Sequence, residues 1–169
     1  VQIREYAERL LERVRSEIYP GETVPARSDC VACWSSMELG YEMRSAVLGD
    51  STDFGVVIVD ARKLETPKLI LSEYQLIAQT MVNAQAKRAN NGSDISNDTL
   101  VGSAVQYWQS ATITNTWEAV AEQDVMFDLP EVLISGGVSC EAIVDTMVMD
   151  AAEYEDVGSD SLPEVTPRK

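Results

Sequence analysis

Lys68-Leu69-Ile70-Leu71-Ser72-Glu73-Tyr74-Gln75-Leu76-Ile77-Ala78-Gln79-Thr80-Met81-Val82 changes its periodicity partway along. Lys68 to Leu71 is a short apolar run of strand length. Ser72 with Gln75 three residues on reads as a capping box. Tyr74, Ile77, Ala78, Met81 and Val82 then recur at three- and four-residue steps, the stripe of an amphipathic helix that fades by Asn90-Asn91-Gly92. A strand beside a helix is the unit from which the rest of the chain is read.

Upstream, Phe54-Gly55-Val56-Val57-Ile58-Val59 is too short for a helix and rich in β-branched residues, so it reads as a buried strand. Lys63 to Pro67 is a turn, and the two strands around it make a hairpin. Earlier still, Ser28 and Asp29 supply N-cap side chains ahead of Cys30, Cys33, Trp34, Met37, Tyr41 and Val47-Leu48, a spacing that predicts a helix over 28–48. Gly40 weakens that helix by about 1 kcal/mol relative to Ala. At the N-terminus Ile3, Tyr6, Ala7, Leu10, Leu11, Val14 and Ile18 form one apolar stripe, charged residues fill the other side, and Pro20-Gly21 ends the helix.

Downstream, Gly92 to Asp98 is a loop of Gly, Ser, Asn and Asp. Leu100, Val101, Ala104, Val105 and Trp108 fit a helix, whereas Ala111 to Trp117 has strand composition, and the two elements meet near Ser110. Val125-Met126-Phe127 and Glu131-Val132-Leu133-Ile134 have strand length, the second bounded by Pro130 and Gly136-Gly137. Residues 138–157 fit both patterns, and composition favours a strand. The fold expected is α+β: N-terminal amphipathic helices packed on a mixed or antiparallel β-sheet, in a single domain over 1–158. Residues 159–169 follow as an acidic, Pro-containing tail that supports no core.

The chain of 169 residues has no histidine, the side chain that titrates nearest neutral pH and the commonest metal ligand. Ser-His-Asp and Cys-His mechanisms in cis are excluded, as are His-containing zinc and iron sites. No run of 18 apolar residues is present, and Val1-Gln2-Ile3-Arg4-Glu5 is charged where a signal peptide is apolar. The net charge of −15 is concentrated in residues 93–169, where fifteen acids face only Arg168 and Lys169. Such a surface repels phosphate, which argues against direct nucleic-acid binding and against attachment to anionic lipid. It is read as a solvated face, as halophilic adaptation, or as a docking surface for a basic partner.

Cys30-Val31-Ala32-Cys33 is a C-x-x-C. At a helix N-terminus the first thiol of such a pair is acidified, which would permit thiol–disulfide exchange. The same residues also read as small core positions or as a disulfide, and Cys140 offers a third zinc ligand with only carboxylates to complete the set. Asp50-Ser51-Thr52-Asp53 and Asp156 to Asp160 lack the ligand order of a calcium loop. No catalytic residue, cofactor or metal is assigned.

The function expected is that of a non-enzymatic structural subunit in a multi-copy assembly, most simply a virion component, located in the virion or the cytoplasm. Its partners are further copies of the chain and other subunits, because the first helix carries a wide apolar stripe and the tail needs a neighbour to lie on. The alternatives are a small thiol-redox or metal-binding enzyme using Cys30 and Cys33, and an acidic inhibitor that imitates nucleic acid. If the acidic half is a docking face, partner association falls as NaCl is raised from low to molar concentration, since exposed charges are screened beyond about 8 Å at physiological ionic strength. Thermal stabilisation by salt with undiminished binding in the same series rules electrostatic docking out.

Overall fold

The computed structural model describes residues 2–21, 23–43, 54–65, 68–89 and 96–149. Helix α1 spans Gln2–Ile18, and β1 is Cys30–Trp34. The short α2 (Met37–Glu42) and strand β2 (Phe54–Val59) follow. Strand β3 (Lys68–Glu73) leads without a loop into α3 (Tyr74–Ala89). Helix α4 (Asn97–Ser110) precedes β4 (Thr112–Thr114) and α5 (Trp117–Gln123), and the described chain closes with β5 (Pro130–Ser135) and β6 (Ile143–Met149).

Four strands form an antiparallel sheet in the order β1-β5-β3-β4. Strand β5 is paired on both sides and β3 is its neighbour, so these two form the centre. Their alternating side chains divide the interior. Ile70 and Leu133 point to one face, where they join Leu11 and Val14 of α1, Ile77 of α3, and Ala104, Tyr107 and Trp108 of α4. Leu69, Leu71, Val132 and Ile134 point to the other face and pack with Val120 of α5, with Trp117, Phe127 and Val138 around them. Helices therefore lie on both faces of the central pair. The α+β fold expected from sequence is the one observed, with an antiparallel sheet.

Polar pins fix the helical layer. The Trp108 indole N–H donates to the Leu11 carbonyl at 2.7 Å, and the Tyr19 hydroxyl donates to the Trp108 carbonyl at 3.0 Å. Helices α3 and α4 meet along small polar residues, with the Thr80 and Ser103 hydroxyls 2.7 Å apart in a buried contact. Thr80 and Asn83 are accordingly buried while Val82 is 59% exposed. The buried stripe of α3 is Ile77, Thr80, Asn83 and Ala84; of the apolar stripe that sequence predicts, Ile77 is buried, Tyr74 and Met81 pack against the core, and Val82 alone is exposed.

Several local expectations are corrected. No single helix spans the described part of 28–48: a 3-10 turn at Arg27–Asp29 leads into β1, and only Met37–Glu42 is α-helical. Cys30, Val31, Cys33 and Trp34 favour a ladder with β5 over a helix that Gly40 would weaken. Ser28 and Asp29 are not helix caps. Strand β2 forms, but it pairs with β6, not with residues 68–71, and Val57 is 55% exposed in this two-stranded ribbon rather than buried. Ser72 belongs to β3, opposite Glu131, so there is no capping box. The Glu73 carboxylate replaces it, accepting from the Gln75 N–H at 3.0 Å. Val125 and Met126 sit in a 3-10 turn, not a strand, and are about 80% exposed. Trp117 opens α5, because the Thr116 hydroxyl caps it by accepting from the Ala119 N–H.

Other readings are borne out. Helix α1 stops before Pro20 and Gly21, the latter at φ 86°. Helix α4 gives way to β4 at Ala111, beside the predicted junction at Ser110. Strand β5 ends at Ser135 before two glycines with positive φ, and 143–149 is a strand. The carboxylate loops at 50–53 and 156–160, and the tail, lie outside the described residues.

Replacing Leu133 with Ala should destabilise the fold by about 2–5 kcal/mol, the range for truncating a fully buried leucine. Val82→Ala should stay within about 0.5 kcal/mol of the parent, as surface changes do. Urea unfolding of both variants checks the pair, and a large loss at Val82 would contradict the exposure of that side chain.

Candidate functional site

Glu131 is the second residue of β5 and shares its face with Leu133, so strand alternation drives its carboxylate beneath the helical layer. It is 3% exposed. A carboxylate moved into such surroundings costs several kcal/mol unless it is paired and hydrogen-bonded. Arg27, in the 3-10 turn before β1, supplies the pair: Nη1 lies 2.5 Å from Oε2 and Nη2 lies 3.1 Å from Oε1, a bidentate clamp. Nε of Arg27 donates to Oε2 of Glu8 on α1 at 3.0 Å. The Tyr107 hydroxyl, from α4, accepts from Arg27 and donates to Glu131 Oε2 at 2.9 Å.

Three segments distant in sequence thus converge on one guanidinium carried by a fourth. The Arg27 Cζ also lies 5.3 Å from the centre of the Tyr107 ring, within cation–π range. A cavity of about 100 Å3 adjoins the cluster, lined by Arg4, Glu8, Arg27, Trp34, Tyr74 and Glu131 among others. Trp34 and Tyr74 meet edge to face in its wall, with ring centres 5.0 Å apart. Ligand pockets run from roughly 300 Å3 upward, so this space suits a few water molecules rather than a substrate.

The electrostatics moves both titratable partners of Glu131 away from neutral pH. Burial disfavours the Arg27 cation, but the hydrogen bond to Glu131 and the surrounding negative charge outweigh it and raise its pKa above the ordinary guanidinium value. Burial, reinforced by Glu131, raises the Tyr107 phenol. An acid–base catalyst works best with a pKa near the operating pH, and neither group has one. The Ser72 hydroxyl, opposite Glu131 in the ladder, is buried without a hydrogen-bond partner meeting ordinary geometry.

The C-x-x-C residues lie next to this cluster, in β1 rather than at a helix N-terminus. A spacing of three in a strand sends Cys30 and Cys33 to opposite faces, Cys30 into the helical layer and Cys33 toward α5. Both are free thiols. The Cys30 thiol donates to the Ala26 carbonyl at 3.3 Å, and Cys33 donates to the Val132 carbonyl at 3.2 Å. Burial, with Asp29 adding to it, raises Cys30, and burial pushes Cys33 up to about 12. The helix dipole invoked for thiolate chemistry does not act here. Cys140 is exposed on a 3-10 turn. Among the described residues, no three Cys, Asp or Glu side chains come together in a way that would hold a metal ion.

Sequence reading missed the charged cluster. Glu131 carried the available signal, a carboxylate heading the run Val132-Leu133-Ile134 with the strand parity of Leu133. Nothing local marks Arg27, Glu8 or Tyr107 as its partners. Among known proteins, the chain matches no family model, no curated protein and no solved structure.

Removing the guanidinium with Arg27→Ala strands Glu131 and should cost about 3–5 kcal/mol, while the double replacement Arg27→Met with Glu131→Leu should recover much of that loss. Urea melts of the two variants decide the point: equal losses would mean that the stranded Glu131 carboxylate is not the source of the cost. Alkaline titration offers a second check. The folded Cys33 thiol titrates above its ordinary value of 9.0, so its neutral form stabilises the fold fully below about pH 9, and that contribution is lost as pH rises toward about 12. Cys33→Ala should flatten that decline. Alkylation at pH 8 should modify exposed Cys140 first, with Cys30 and Cys33 reacting freely only in denaturant.

Proposed function

We propose that this chain is a non-enzymatic structural subunit of a multi-copy assembly, with a virion capsid, neck or tail as the setting, and that it associates with further copies of itself and with other subunits. The observation that carries the reading is the β2–β6 ribbon. A two-stranded sheet is marginal alone in water, and this one exposes half or more of Val57 and Val144. Val56, Ile58, Val59 and Ile143 are only partly covered within the described residues. Apolar side chains left exposed on such a ribbon suit an interaction site, and a second copy is the occupant assigned to it.

The chemistry of the interior supports the same reading. The charged groups gathered around Arg27 satisfy one another, and the cavity beside them is small. No helix among the described residues is long and apolar enough to cross a membrane. A protein location in the virion or the cytoplasm belongs to the proposal.

Light scattering of the full chain at physiological salt tests it. The expected result is a species at a multiple of 18.6 kDa, shifted toward the single-chain mass by Val57→Asp combined with Val144→Asp. Circular dichroism matching the parent would show that the variant keeps its fold. A parent that runs as one 18.6 kDa chain across the micromolar range would overturn the assignment.

A further inference from the structure

We draw no further inference here: the strongest candidate, the groove of about 570 Å3 between α1, α3 and α4 lined by Ile3, Tyr6, Arg9, Ala84, Lys87 and Leu100, carries nothing, because nothing in the structure shows what covers it.

Discussion

A carboxylate on the inner face of a central strand imposes a requirement on the whole chain. Glu131 occupies that position, and the bidentate contact with Arg27 answers it. Arg27 can serve only if the segment between α1 and β1 is held against the helical layer. Arg15 does part of that holding: its Nη1 donates to the Val24 carbonyl at 2.6 Å while Nη2 pairs with Glu12 at 2.5 Å. Val24 itself is buried in the core beside Leu11 and Val14. The register of α1 on the sheet, the course of residues 23–29 and the seating of Tyr107 on α4 are therefore set by one ion pair and its neighbours.

The distribution of charge explains why that cation comes from so far along the chain. Between Ala89 and Pro167 there is no basic residue, so an acid buried in β5 has no local counter-ion and reaches back 104 positions to Arg27. Glu73 is satisfied differently. Its two oxygens accept from the backbone N–H groups of Asp128 at 2.8 Å, Leu129 at 3.1 Å and Gln75 at 3.0 Å, so a single carboxylate ties the β3–α3 junction to the approach to β5. Where acids outnumber bases by more than two to one, backbone amides take over as counter-groups. Both devices act on the central strands.

What was legible in the sequence follows from how local each signal is. Helix α1 and strand β5 could be read because apolar periodicity and Pro or Gly punctuation coincide over a few residues. The change of element at Ser110–Ala111 could be read from a shift in composition. Residues 30–34 were misread because Cys, Val, Ala and Trp fit either period, and only the ladder with 131–135 decides between them. Strand β2 illustrates the same limit. Its β-branched run announces a strand, yet its partner lies at 143–149 rather than after the next turn, and a run of hydrophobic residues does not reveal whether anything covers it. The charged cluster was least accessible of all, since each member looks ordinary alone and its role arises from the crossing of four segments.

The same cluster bears on the kind of role the fold can support. Catalytic groups need room for a substrate and a proton affinity matched to working pH. Around Glu131 the arrangement runs the other way: the guanidinium is shared among two carboxylates and a phenol, and both Arg27 and Tyr107 are driven further from neutrality. Removing one member leaves a buried charge exposed to the low-dielectric interior, so the cluster favours a single arrangement of the layers over alternatives. A core constrained in this way, with apolar side chains left outward on a two-stranded ribbon, is consistent with the structural role proposed above. In the proposed assembly, a subunit whose outward surfaces keep fixed relative positions would let identical contacts repeat symmetrically.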